Sequence, residues 1–198
     1  MYSFDLQGRM DTHSTVTTSG SVETDYDYDN LGRLDTQTES NAAGQVVASY
    51  DYDVRPDGKR VSLSETHWFD DDADGDNVRD ASEVLQSQYD WTYYAAGRLT
   101  DEALNHWDDA VDVSESFVYD LTGNRVGLQR DAGNDSVVDQ ALTYEFDAND
   151  RLLHEYLDSD NNGGTDQTIV YGYDHTQQTE KTLYNGFVDD SRGCPVCC

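Results

Sequence analysis

Three short runs of the sequence space oxygen-bearing side chains two residues apart: DADGDNVRDASE (72–83), DAGNDSVVD (131–139) and DSDNNGGTD (158–166). Carboxylates and amides at that spacing can wrap one hard cation, because calcium takes six to eight oxygen ligands in tolerant geometry. Read in one register, loop positions 1, 3, 5 and 9 are Asp72, Asp74, Asp76 and Asp80 in the first run. They are Asp131, Gly133, Asp135 and Asp139 in the second, and Asp158, Asp160, Asn162 and Asp166 in the third. Glu83 supplies an acid where a bidentate ligand belongs, although Gly75 comes one residue early for the sharp turn. The third run has its glycine, Gly163, in the right place but ends on Ile169, and the second has no carboxylate at position 3. Calcium is thus the one candidate cofactor, with its ligands in the first and third runs. The competing reading is an acidic hairpin tip, where Asp, Asn and Gly are the ordinary turn residues.

Other chemistry finds less support. Paired carboxylates could hydrolyse glycosides, and Asp-x-Asp phrases occur in glycosyltransferase metal sites. Here, however, each Asp recurs with its surroundings and no single pair stands apart. His13, His67, His106, His154 and His175 are scattered, with none in a metal- or nucleophile-type motif. Cys194 and Cys197 make a CxxC, but zinc would need a second pair and thioredoxin-type chemistry a βαβ setting. The chain is expected to be non-catalytic.

Composition narrows the partners. A net charge of -29 over 198 residues leaves no basic surface for nucleic acid or for anionic lipid. No apolar run reaches the length of a transmembrane helix, and MYSFDLQGRM does not read as a secretory signal. There are 32 Asp against 9 Glu, a bias toward turns and caps over helices. Mean hydropathy is -0.81, yet the chain carries 14 Tyr, 5 Phe and 3 Trp. A disordered chain is normally poor in rings, and rings suit half-buried strands.

The elements that must position these residues come from a repeat. A ring-x-ring phrase begins at Tyr2, Tyr26, Tyr50, Trp91, Phe117, Tyr144 and Tyr171, at spacings of 24, 24, 41, 26, 27 and 27. After the second ring come Asp, turn residues, Gly, Arg and an aliphatic, as in YDYDNLGRL at 26–34. Rings two residues apart share one strand face. Asp caps the turn, Gly supplies a positive φ, and Arg opens the return strand. The signature residues are Tyr26, Tyr28, Asp29, Gly32 and Arg33 in the second copy, then Tyr50, Tyr52 and Asp53. Later copies contribute Gly97 and Arg98; Tyr119, Asp120 and Gly123; Tyr144, Phe146 and Asp147; and Tyr171, Tyr173 and Asp174. Tyr94 stands where Asp is expected, and Asp150 where Gly is. One hairpin cannot bury its own rings, so neighbours must stack into a shared core. The expected fold is all-β: about seven tandem hairpins over 1–184 in a twisted antiparallel spiral sheet, interrupted by acidic inserts at 70–83, 131–139 and 158–166. An irregular tail should follow over 185–198. Helix is expected to be nearly absent, with 101–109 (DEALNHWDD) the one ambiguous stretch.

These phrases resemble the YD-repeat, or RHS-repeat, family, whose consensus runs close to Y-x-Y-D-x-x-G-R-L; residues 26–34 match it throughout, and the resemblance covers roughly 2–184. It implies hairpins wound into part of a large shell, often built around a C-terminal toxin, in a secreted or cell-surface protein. Seven repeats make only an arc of such a wall, so the chain is expected to be a piece of a longer polypeptide. Its partners would then be neighbouring YD repeats. The alternative implied is a calcium-stiffened module that binds cell-surface carbohydrate.

Overall fold

The computed structural model describes residues 1–18, 20–69, 84–174 and 178–185. They form an all-β chain of fourteen strands, and its single helical turn among the described residues is a 3-10 turn at Asp109–Val111. The chain divides into two compact units. The first holds Met1–Thr92 and Ala103–Asp112, and the second holds Tyr93–Glu102 and the described residues from Val113 onward.

The first unit contains β1 (Tyr2–Phe4), β2 (Met10–Thr17), β3 (Gly20–Tyr28), β4 (Leu34–Asn41), β5 (Val46–Val54), β6 (Arg60–Trp68) and nearly all of β7 (Val84–Tyr93). Each pairs antiparallel with its neighbour in sequence. β8 (Leu99–Asn105) contributes residues to both units. The second unit contains β9 (Val113–Tyr119), β10 (Arg125–Ala132), β11 (Gln140–Phe146), β12 (Leu152–Asp158), β13 (Gln167–Tyr173) and β14 (Gln178–Asn185), again paired antiparallel in order. Tandem hairpins therefore account for both units. The ambiguous stretch at 101–109 resolves into the end of β8 and a polar corner, because Leu99–Asn105 is the return strand of the hairpin that opens at Trp91.

The pairing shifts by one residue at the mouth of the repeat turns, between Ser3 and Phe4, Asp27 and Tyr28, Asp53 and Val54, and Glu145 and Phe146. This is the bulge that follows when a type I turn ends on a left-handed residue and the return strand must recover its register.

The core is thin. Among the described residues the buried apolar side chains are Ala48 and Phe117, and the one fully buried side chain of any size is Thr168. The repeat rings Tyr26, Tyr28, Tyr144 and Tyr173 are half-buried. The expected shared core is thus replaced by lateral contact between rings and long polar side chains on adjacent strands. A chain of mean hydropathy -0.81 has little aliphatic surface from which to build anything thicker.

Candidate functional site

The strongest local constellation is the repeat turn. At 29–33 the Asp29 N–H donates to the Arg33 carbonyl at 2.8 Å, and Gly32 N–H to the Asp29 carbonyl at 2.9 Å. One Asp29 carboxylate oxygen accepts the backbone N–H groups of Leu31 and Arg33, and the other accepts Arg33 Nε at 2.6 Å. The turns at 5–9 and 147–151 repeat this, with Arg9 Nε on Asp5 and Arg151 Nε on Asp147, both at 2.7 Å. Gly32 has φ 79°, where a Cβ would be strained; Asp150, in the glycine's place, has φ 60°. Asp is among the few side chains that tolerate that region.

These hydrogen bonds stabilise the ionised carboxylates. The Arg33 backbone N–H is the largest influence holding Asp29 below the usual range, and for Asp147 it is the Arg151 side chain. At Asp5 partial burial pushes upward, and the backbone and side chain of Arg9 outweigh it. Asp120 goes lowest, to about 2, through the Thr122 hydroxyl and the N–H groups of Gly123 and Asn124, against partial burial. A carboxylate held down in this way is a weak proton acceptor. The ring hydroxyls move the other way, since burial raises Tyr50, Tyr89, Tyr144 and Tyr171, with Glu39 and Glu65 adding to it at Tyr50.

The same arginines lock one repeat to the next. Arg9 lies over the Tyr28 ring at 4.2 Å, Arg98 over Tyr119 at 5.3 Å and Arg151 over Tyr173 at 5.0 Å. Arg33 donates to the Arg55 carbonyl, and Arg151 to that of Asp174 at 3.2 Å. In return, Tyr28 donates to the Met10 carbonyl at 2.8 Å and Tyr173 to that of Leu152 at 2.7 Å. Asn124 takes the arginine's place in the fifth copy and reaches the Asp150 carboxylate at 2.8 Å. Other rings also have cations across the strand: Arg60 over Tyr52, Arg125 over Tyr144 and Phe117, and Lys181 over Tyr171.

Two copies depart from the pattern. Asp53 does not begin a turn; it pairs with Ser62 inside the β5–β6 ladder, and the turn closes from Arg55 to Lys59. Pro56 fixes a φ suited to the turn's second residue, and β-branched Val54 extends the strand, so the loop moves two residues along. At 94–98 the backbone turn survives without its Asp, with Tyr94 N–H on the Arg98 carbonyl at 2.8 Å. Arg98 Nε, which has no turn carboxylate to meet, is buried without a hydrogen-bond partner among the described residues.

The sequence also hides a turn of the same kind. At 41–45 (NAAGQ) Asn41 replaces Asp and Gln45 replaces Arg: the Asn41 side-chain oxygen accepts the Ala43 and Gln45 N–H groups, both at 3.0 Å. Its Asx-x-x-Gly spacing was the available signal, but no rings precede it.

Of the calcium candidates, Asp72, Asp74, Asp76, Asp80 and Glu83 lie outside the described residues. In the third insert Asp158, Asp160 and Asp166 bring carboxylate oxygens within 4.8 Å of one another. Asn162 is not turned to join them, since its side-chain oxygen accepts the Gly164 N–H at 2.8 Å. Both Asp158 oxygens accept backbone N–H groups, from Asn162 and Gly163, and Asp166 accepts the Ser159 backbone and hydroxyl. The Ser159 hydroxyl is the main influence lowering Asp166. Three gathered carboxylates supply three to six of the six to eight oxygens calcium takes, and part of their acceptor capacity is spent on folding the loop. The second insert has the same fold: Asp131 accepts from Asp135 and Ser136, and Asp139 from Ala132.

The four described histidines lie against rings: His13 on Tyr2, His67 on Tyr50, His106 on Trp107 and His154 on Tyr156. His175 and the cysteines lie outside the described residues. No helix among the described residues is long and apolar enough to cross a membrane.

No family model and no curated protein matches the chain. Among solved structures, a Tc holotoxin pore of Photorhabdus luminescens is similar over 88% of this chain and 11% of its own, at 18% identity and a TM-score of 0.36. A TcdB2–TccC3 crystal structure gives 16% identity and a TM-score of 0.33 over the same shares, 88% and 11%. A porin-like protein from Bacteroides uniformis is similar over 92% of this chain and 86% of its own, at 8% identity and a TM-score of 0.25. The chain thus spans about a tenth of the length of the toxin chains it is similar to.

Proposed function

We propose that this chain is a non-catalytic wall segment: a run of YD-type hairpins whose task is to pair with neighbouring hairpins in a larger secreted or surface polypeptide. The observation that carries this reading is the lock between repeats. The side chains best equipped for acid–base or anion chemistry, the turn aspartates and arginines, are engaged in closing their own turn and seating the next one. Carboxylates lowered by their turn hydrogen bonds, Asp120 to about 2, and phenols raised by burial are poor proton shuttles at neutral pH.

The seating contact also marks where a neighbour would go. Tyr28, Tyr119 and Tyr173 are half-buried beneath arginines of the preceding repeat, whereas the equivalent Phe4 is 61% exposed. A Cβ built on Gly32 would touch Arg9 at 3.3 Å, but one on Gly8 would meet nothing within 4 Å. Among the described residues no second strand pairs with β1 on its outer edge, beside exposed Tyr2 and Phe4. Such an edge pairs readily with another strand. Analytical ultracentrifugation of the isolated chain is the test. Concentration-dependent association that Phe4→Lys weakens is expected; a monodisperse, protease-resistant monomer would overturn the reading.

A further inference from the structure

We propose that Asn162 is a self-modification site, at which the third insert converts its own asparagine to aspartate or isoaspartate through a cyclic imide. The reaction needs a nucleophile, a base and a donor for the oxygen that gains charge, and the loop 158–166 holds one of each. The nucleophile is the backbone nitrogen of Gly163, whose missing Cβ leaves its approach to the Asn162 side chain open. The base is Asp158, which accepts that nitrogen's proton in a 2.7 Å hydrogen bond. The donor is the Gly164 N–H, which meets the Asn162 side-chain oxygen at 2.8 Å. That bond fixes the Asn162 side chain over its own loop and polarises its carbonyl. The segment 159–164 is exposed, so water reaches it.

The atoms balance without an external reagent other than water. The Gly163 nitrogen forms a bond to the Asn162 amide carbon and gives its proton to Asp158. The bond from that carbon to the side-chain nitrogen breaks, and the nitrogen leaves as ammonia with the proton Asp158 returns. Water then opens the imide, giving a carboxylate at position 162 with either the original backbone or one lengthened through the side chain.

The second insert shows that the aspartate product fits. Offset by 27 residues, Asp131 answers to Asp158, Asp139 to Asp166 and Asp135 to Asn162. Asp131 accepts the N–H groups of Asp135 and Ser136 as Asp158 accepts those of Asn162 and Gly163. The Asp135 carboxylate accepts the Val137 N–H at 2.9 Å, as Asn162 accepts Gly164. Backbone angles agree as well, with φ 50° at Asn134 against 49° at Asn161, and 72° at Ser136 against 88° at Gly163. One loop thus carries the acid by inheritance, and its sister acquires it with time. The new charge lies beside Asp158, Asp160 and Asp166.

The test follows amide-to-acid conversion at each asparagine by peptide mass spectrometry of the full chain, incubated folded at neutral pH and, in parallel, unfolded in urea. Asn185 and Gly186 form the sequence's other Asn–Gly pair and serve as the internal reference. Folded chain should convert Asn162 about tenfold faster or more than unfolded chain, since a positioned base contributes on the order of a hundredfold or more. Asp158→Asn, which keeps an acceptor but removes the base, should erase that advantage, whereas Asp160→Asn should leave it in place. Conversion in the folded chain that is no faster than in urea overturns the proposal, as does an advantage that survives Asp158→Asn in a chain whose melting curve is unchanged.

Discussion

At the scale of single residues, one carboxylate does the work of a cap and one guanidinium that of a tether. Asp120 makes a measurable case, because its folded value of about 2 lies below the ordinary 3.8. Between these values the unfolded chain binds the proton that the folded chain refuses. Asp120 therefore contributes stability in full above the ordinary value, and the contribution is lost as pH falls toward about 2. Asp5, Asp29, Asp147 and Asp166 are shifted in the same direction, so the melting temperature should fall as the solution is acidified from about pH 5. Asp120→Asn should fold, because Asn41 closes a turn of the same kind with an amide, and its melting temperature should fall less steeply over that window. Parallel curves for the two proteins would show that Asp120 is not held down. The fourth copy supplies the converse test. Tyr94→Asp gives Arg98 Nε the acceptor it lacks, at the loss of the Tyr94 ring's edge-on contact with Tyr119 at 6.2 Å. Satisfying a buried donor outweighs one ring contact by about 1 kcal/mol, so the melting temperature should rise by about 2–4 °C. An unchanged or lower value in a scanning calorimeter would mean that the ring contact dominates.

At the scale of elements, the hairpin was legible wherever rings, Asp, Gly and Arg occur together, because each residue answers a local demand: a strand face, a cap, a positive φ, a return strand. Two turns were not legible in that way. NAAGQ closes on Asn41 with no rings to announce it, and the Asp53 copy moves its loop to Arg55–Lys59 because Pro56 and Val54 outrank the phrase before them. What no local reading reached was the contact between copies, since Arg9 and Tyr28 are 19 residues apart and meet only once the strands pair. That contact can be tested through glycine. Gly44 and Gly123 both have positive φ, 77° and 107°, so alanine at either costs about 1–2 kcal/mol. A Cβ at Gly44 meets nothing within 4 Å, while one at Gly123 runs into Arg98 and would drive it from the Tyr119 ring. Gly123→Ala should therefore cost about 1 kcal/mol more than Gly44→Ala. The excess should vanish in an Arg98→Ala background, as a double-mutant cycle would record. Equal costs in both backgrounds would remove the arginine from the account of how repeats hold together.

At the scale of the whole molecule, two long-range influences oppose one another. A net charge of -29 repels any second copy, while exposed rings on β1, with Tyr2 at 60% and Phe4 at 61%, and exposed Leu183 and Tyr184 on β14 invite one. Repulsion between surface charges acts over about 10 Å at 0.1 M salt and about 3 Å at 1 M. Strand pairing and ring burial act at contact and are insensitive to screening. Association of the isolated chain should therefore be weak in dilute buffer and grow with sodium chloride, the reverse of what an assembly held by ion pairs would do. Phe4→Lys puts a charge on the strand that must be covered and should suppress the salt-driven species, whereas lysine at Val137, 62% exposed in the second insert and part of neither β1 nor β14, should not. Sedimentation velocity across a salt series reads both variants directly. Association that falls with salt, or that responds equally to both substitutions, would place the sticky surface elsewhere and leave β1 without the neighbour proposed for it.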